Sequence, residues 1–123
     1  MGTLLSGRKI LIVEDSFHLA EVLSDILVEL GCQVIGPTAH ASGALRLLAE
    51  QEVHGAILDI NLGNDRSFAV ADWLAERGAP FVFLTGHTNL KIIPARFVGV
   101  GVLPKPFHSQ QVEREATKAF APA

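Results

Sequence analysis

The segment KILIVED, residues 9–15, decides how this chain folds. Its first five residues form an almost continuous apolar run rich in β-branched side chains, which is typical of a strand buried on both faces of a parallel sheet. The run ends in two acids, Glu14 and Asp15, and the next residue, Ser16, is a good helix cap. Apolar residues then recur at helical spacing from Leu19 to Leu30. The sequence therefore predicts a buried strand that leads directly into a helix.

The same strand–helix unit recurs four more times along the chain. The further predicted strands are Gln33–Pro37, Gly55–Ile60, Pro80–Leu84 and Gly99–Leu103. The further predicted helices are Thr38–Gln51, Phe68–Arg77, Lys91–Phe97 and Ser109–Phe120, the third of them short because Pro94 kinks or ends it. Five alternating units predict an α/β fold with a parallel sheet and helices on both faces. Sites in such sheets lie at the carboxyl ends of the strands.

Composition and charge favour one globular domain. The chain has 123 residues, of which 49% are hydrophobic and 19% charged, an ordinary balance for a single folded unit. The net charge of −3 argues against nucleic acid or an anionic membrane as a partner. Cys32 is the only cysteine, which excludes an internal disulfide, and no apolar run is long enough for a signal peptide or membrane span. We expect a soluble cytoplasmic protein whose residues 1–7 form a flexible terminus.

Polar residues follow four of the five predicted strands. They are Glu14 and Asp15 after the first strand, Asp59 at the end of the third, Thr85 and Gly86 after the fourth, and Lys105 after the fifth. Because the carboxyl ends of parallel strands meet at one edge, we expect these groups to gather there. Crowded carboxylates need a counter-charge, and a few carboxylates with waters and phosphate oxygens suit Mg²⁺.

The lysine stands in VLPKPF, residues 102–107, between two prolines that restrict the backbone and aim its side chain. A phosphoryl group on Asp59 would have Mg²⁺ on one side and the Lys105 ammonium on another. Thr85 and the Gly86 backbone N–H would supply hydrogen bonds to further oxygens. Phosphoryl transfer depends on this combination of positioning and charge.

Four motifs in order carry a resemblance to a known family: IVED (12–15), LDINL (58–62), FLTG (83–86) and PKPF (104–107). Across about Lys9 to Phe120 the chain resembles the receiver domain of two-component response regulators. The resemblance implies a flavodoxin-like (βα)5 three-layer sandwich, with a parallel five-stranded sheet of order 2-1-3-4-5 and a receiver domain over residues 8–121.

The resemblance also assigns roles to individual residues. It implies that Asp59 accepts the phosphoryl group, and that Lys105, Thr85 and the Gly86 N–H contact it. It also implies that Asp15, Asp59 and the Asn61 backbone carbonyl bind Mg²⁺ directly, and that Glu14 binds it through water. Asn61 and His87 would tune how fast the phosphoryl group is lost. For His87 an exposed loop histidine is the equal alternative. The Lys105–Pro106 bond would be cis.

Two departures from the family pattern concern switching. Val102 stands where many receivers carry a switch aromatic that moves together with the threonine, here Thr85. The stretch between Thr85 and Lys105 is also short. Within the family, FVFLTGHT (81–88) and VLPKPF are similar to stand-alone alphaproteobacterial receivers of the FATGUY type, although Leu84 and Thr88 depart from that motif.

The resemblance implies a single-domain response regulator without an output domain. It would accept a phosphoryl group from a sensor histidine kinase or histidine phosphotransferase and act on a downstream protein, as a monomer or weak dimer. It would catalyse only its own phosphorylation and dephosphorylation. Two alternatives stay open: a degenerate receiver that binds partners with little switching, and a small phosphatase with an Asp nucleophile. The phosphatase would need a second aspartate where Asn61 stands.

Overall fold

A computed structural model describes residues 4–63, 65–86 and 92–122 of the chain. The strands of its main sheet are β1 (Lys9–Val13), β2 (Gln33–Thr38), β3 (Gly55–Asp59), β4 (Phe81–Gly86) and β5 (Gly101–Lys105). Its α-helices are α1 (Phe17–Glu29), α2 (Ala41–Glu50), α3 (Phe68–Glu76) and α4 (Ser109–Phe120). Within the described residues no helix has both the length and the apolar character needed to cross a membrane.

The main sheet is entirely parallel and has the strand order β2-β1-β3-β4-β5. Helices α2 and α3 cover one face, over a core that includes Leu11, Leu58 and Phe83. Helices α1 and α4 cover the other face, over a core that includes Ile10, Ile57 and Phe120. Successive strand residues therefore alternate between two apolar layers. The predicted flavodoxin-like fold and its strand order are confirmed.

The predicted short fourth helix, Lys91–Phe97, is not an α-helix in the residues that the structure describes. Ala95–Phe97 forms a short 3₁₀ turn, and Ile92 on the other side of Pro94 also has 3₁₀ geometry. Pro94 precedes the turn in an extended conformation, with φ −60° and ψ 148°, so an α-helix cannot run through it. Phe97 is nevertheless buried, and the turn therefore packs on the sheet where a longer helix was expected.

The N-terminal boundary also differs from the prediction of a flexible segment over residues 1–7. Leu5 is 1% exposed and belongs to the core under α1 and α4. The Gly7 N–H donates to the Gly31 carbonyl oxygen at 2.8 Å, which ties this segment to the end of α1. The folded domain therefore includes Leu5.

The fifth strand continues two residues further than predicted, through Pro104 to Lys105. Pro104 is tolerated because β5 lies at the edge of the sheet and pairs only with β4. The Lys105–Pro106 peptide bond is cis, as the resemblance implied, and Gly36–Pro37 is cis as well. Lys105 is thus the last residue of β5, and the strand fixes the position of its Cα at the edge of the sheet.

Ser16 begins α1 as the sequence predicts: its Oγ accepts a hydrogen bond from the Leu19 N–H at 3.3 Å. Replacing it by alanine leaves that donor without its cap. We expect Ser16→Ala to lower the free energy of unfolding by about 1 kcal/mol, measured by urea denaturation. Ser42→Ala, in the first turn of α2 and exposed, is the control and should leave stability unchanged or slightly raised. Equal stability of Ser16→Ala and wild type would contradict the capping role.

Candidate functional site

Three carboxylates meet at the carboxyl edge of the sheet. Glu14 and Asp15 follow β1, and Asp59 ends β3, which pairs with β1 so that Val13 lies beside Leu58. One oxygen from each carboxylate lies within 4.8 Å of the others. Glu14 and Asp59 are each 2% exposed, whereas Asp15 is exposed. The parallel register therefore produces the predicted acidic cluster, with two of its three members almost removed from water.

Lys105 supplies the counter-charge that this cluster needs. Its Nζ donates a hydrogen bond to Asp59 Oδ2 at 2.8 Å and lies 3.3 Å from Glu14 Oε1. Burial acts to lower the pKa of Lys105, but the hydrogen bond to Asp59 and the charges of Asp59 and Glu14 outweigh it and raise that pKa. The lysine is therefore a permanent cation between two buried carboxylates, as predicted from its place after β5.

Glu14 is the member of the cluster whose ionised form is least well stabilised. Its Oε2 accepts the Ser16 N–H at 3.0 Å. Its Oε1 is close enough to Lys105 for an ion pair, but it is buried and makes no hydrogen bond within the described residues. Burial first, and then the neighbouring Asp59, raise the pKa of Glu14 to about 7, although the hydrogen bond from the Ser16 N–H acts to lower it. Ionised Glu14 therefore lacks a full set of partners.

A hard divalent cation fits these residues. The donors are carboxylate oxygens, which Mg²⁺ prefers, and the buried Glu14 Oε1 has an unused acceptor position. The one positive charge of Lys105 stands against the three carboxylates of Glu14, Asp15 and Asp59, so the cluster retains excess negative charge when they are ionised. The fit therefore rests on both the donor type and the buried Glu14 oxygen that accepts no hydrogen bond from the described residues.

Asn61 is held directly beyond Asp59 by a small antiparallel ribbon that the sequence did not predict. Asn61–Leu62 pairs with Asp65–Arg66 in a stretch predicted to be a loop. The Asn61 N–H donates to Asp59 Oδ1 at 3.2 Å, and Leu62 is 4% exposed. The ribbon and the buried leucine therefore fix the backbone next to the Asp59 carboxylate.

Thr85 and Gly86 end β4 beside the cluster. Asp59 pairs with Leu84 and Gly86 pairs with Lys105, so Thr85 lies between the strand ends that carry the acid and the lysine. Thr85 is 1% exposed, and its Oγ1 donates to the Gly86 carbonyl oxygen at 3.1 Å. The predicted residue His87 lies outside the described residues.

Val102 is half-buried and pairs with Phe83 across β4 and β5. It packs against the core under α2 and α3, where four phenylalanines make ring contacts that the sequence did not predict. Their ring contacts bring together residues from separate elements. The alternation of Phe81 and Phe83 in β4 is the one sequence signal of this arrangement.

A doubly wound sheet of this order, with buried acids and a lysine at its carboxyl edge, defines the class of the protein. The profile of the response regulator receiver domain matches residues 10–117, and the chain belongs to that family. Receiver domains function in two-component signalling. They bind Mg²⁺ at an acidic pocket and interact with histidine kinases or phosphotransferases and with downstream targets.

Among individual proteins, the chain is similar to SdrG from Sphingomonas melonis Fr1. The two are 37% identical, with a TM-score of 0.80, over 94% of this chain and 96% of SdrG. The receiver domain of Erythrobacter litoralis PhyR shares the fold, with a TM-score of 0.82 at 22% identity, over 98% of each chain. The sensory transduction protein LytR of Streptococcus agalactiae is 30% identical over 116 residues, which are 89% of this chain and 47% of LytR. The chain spans about half the length of the curated relatives it matches.

Proposed function

We propose that this receiver accepts a phosphoryl group on Asp59 from a phosphohistidine of a sensor histidine kinase or histidine phosphotransferase, and that it signals by altered contacts with a downstream protein. The observation that carries the proposal is the 2.8 Å contact between Lys105 Nζ and Asp59 Oδ2 beside Glu14 and Asp15. When the buried carboxylate of Asp59 attacks phosphorus, the Lys105 ammonium at one of its oxygens is already in place to offset the negative charge of the phosphoryl group that is gained.

The transfer is a displacement at phosphorus. A lone pair of an Asp59 carboxylate oxygen forms the new P–O bond, while the P–N bond of the phosphohistidine breaks and its electron pair stays on the imidazole nitrogen. The product is an acyl phosphate. Lys105 is within reach of its oxygens, and Thr85 and the Gly86 N–H are the further donors at the same edge of the sheet.

Asp15, Asp59 and the Asn61 backbone carbonyl would hold Mg²⁺, with Glu14 acting through water. When bound, Mg²⁺ supplies positive charge that offsets the charges of the carboxylates and of the phosphoryl oxygens. The residues themselves position the acceptor: the Asn61 N–H orients one oxygen of Asp59, and Lys105 orients the other. The catalysis extends to the protein's own phosphorylation and dephosphorylation and not to turnover of a separate substrate.

A degenerate receiver is the competing function, because two observations favour weak switching. Val102 offers no ring at the position of the usual aromatic, and a 3₁₀ turn replaces the expected helix in the described residues after β4. A receiver that only binds partners gains nothing, however, from a buried acidic cluster in which one carboxylate oxygen accepts no hydrogen bond from the part of the chain that the structure describes. The intact cluster therefore supports a phosphorylated domain.

The test is labelling by a small phosphodonor. We expect wild type incubated with acetyl phosphate and Mg²⁺ to gain one phosphoryl group by intact mass spectrometry, and to gain none when EDTA is present. The same dependence should hold for phosphotransfer from a phosphorylated histidine kinase. A folded protein that is not labelled by either donor in the presence of Mg²⁺ would establish the degenerate receiver instead.

A further inference from the structure

Four phenylalanine rings form one contact network on the α2/α3 side of the sheet. We call them the phenylalanine cluster: Phe68 of α3, Phe81 and Phe83 of β4, and Phe97 of the 3₁₀ turn. The ring centroids of Phe83 and Phe97 are 5.5 Å apart with an interplanar angle of 71°, and those of Phe68 and Phe97 are 6.0 Å apart and stacked. Phe83 also meets Phe68 edge-on at 6.0 Å. One ring in β4 thus contacts both α3 and the turn.

The cluster begins beside the candidate phosphorylation site. Phe83 and Thr85 are two residues apart in β4, so their side chains leave the same face of the sheet. Both are almost fully buried, at 0% and 1% exposed. Val102 is the cross-strand neighbour of Phe83, and valine has no ring that could turn between an inward and an outward position. Among the described residues of β4, the aromatic side chain next to Thr85 on this face is therefore that of Phe83, a member of the phenylalanine cluster.

An ion pair ties the far end of the cluster to α3. Arg96 Nε lies 2.8 Å from Asp72 Oδ1, and Arg96 Nη2 lies 2.9 Å from Asp72 Oδ2, which is a bidentate arrangement. The Arg96 guanidinium also stands 4.7 Å from the centroid of the Phe97 ring. The turn is therefore joined to α3 both through Phe97 and through Arg96.

We propose that the phenylalanine cluster couples the state of Asp59 to α3 and the 3₁₀ turn. This rests on the proposed phosphorylation of Asp59. The Thr85 hydroxyl donates to a neutral carbonyl oxygen, that of Gly86. A phosphoryl oxygen is a stronger acceptor, and donation to it displaces the end of β4. Because cores are close-packed, Phe83 cannot move with its strand unless Phe97 and Phe68 also adjust.

Trp73 makes this coupling observable. It is the only tryptophan of the chain and follows Asp72 on α3. The guanidinium of Arg77, one turn further along the helix, stands 3.6 Å from the centroid of its ring. Trp73 also packs against the core under α2 and α3, so a shift of α3 against that core changes the surroundings of the ring and therefore its emission.

The experiment adds beryllofluoride, a phosphoryl analogue, to the full chain with Mg²⁺. Binding is followed by fluorine NMR, and α3 is followed by Trp73 emission. We expect wild type to bind and its emission to change. Phe97→Leu should bind with similar affinity and lose about half or more of the emission change. Phe120→Leu is the matched control, since it makes the same change in the opposite core layer and should retain the full response.

If Phe97→Leu does not fold, Arg96→Gln tests the coupling instead, because Arg96 is exposed and its replacement does not disturb the core. It should also reduce the emission change, whereas Arg114→Gln, exposed on α4, should not. Full emission changes in folded Phe97→Leu and in Arg96→Gln would overturn the coupling. Wild type that binds beryllofluoride without any emission change would also overturn it. Absence of binding in wild type would instead overturn the proposed function, and the coupling with it.

Discussion

Asp59→Asn should abolish phosphoryl labelling of this receiver, lowering the rate by on the order of a thousandfold or more. The carboxamide has nearly the shape of the carboxylate, so its oxygen can still accept the hydrogen bond from Lys105 that the structure shows at 2.8 Å. It lacks the anionic oxygen whose lone pair forms the new P–O bond. Initial rates of labelling by acetyl phosphate with Mg²⁺, measured by intact mass, check the prediction.

The control for this substitution is Asp25→Asn, which makes the same change at an exposed position of α1 and should be labelled like wild type. Urea denaturation of Asp59→Asn shows whether the variant is folded when it is assayed. Labelling that persists in folded Asp59→Asn would move the acceptor to another carboxylate, and digestion followed by mass spectrometry would identify it. Asp15, exposed at the same edge of the sheet, is the first residue to check.

Most of the fold could be predicted because its signals are local. Runs such as GAILD at 55–59 are apolar enough to be buried on both faces, and Ser16 marks the start of α1. The ribbon at Asn61–Leu62 could not be predicted, because two-residue strands carry no periodicity. The replacement of the fourth helix was partly foreseeable from Pro94, but a shortened helix and a 3₁₀ turn look alike in sequence.

The candidate site also combines features that the sequence predicts with features that it does not. The edge at which the acids and Lys105 gather follows from the parallel topology, so polar residues after each apolar run could be identified from sequence. The contact between Lys105 and Asp59 joins residues 46 positions apart. The strand order and the charges predicted that the two would face each other, but not that they would share a direct hydrogen bond in the absence of a phosphoryl group. The phenylalanine cluster could not be foreseen, because Phe97 reaches Phe83 only through the path of the chain after β4.

Burial of Glu14 should make the stability of this protein depend on pH in the absence of divalent cations. The pKa of Glu14 rises from 4.5 to about 7 on folding, so between these values the folded chain binds more protons than the unfolded chain. The free energy of unfolding therefore falls as the pH rises through this range, by about 3 kcal/mol from this group, and levels off above it. Glu14→Gln removes the titrating group and with it this part of the fall.

Urea denaturation of wild type and Glu14→Gln in EDTA across this pH range isolates the effect, because the other acids titrate in both proteins. The difference between the two curves should change by about 3 kcal/mol in favour of the variant as the pH rises. Glu29→Gln, exposed at the end of α1, should give a curve parallel to wild type. Parallel curves for Glu14→Gln and wild type would contradict the raised pKa of Glu14.

Mg²⁺ favours the ionised cluster, so its addition at neutral pH should stabilise wild type more than Glu14→Gln. Binding of a divalent cation would thus offset the loss of stability that ionised Glu14 causes at neutral pH.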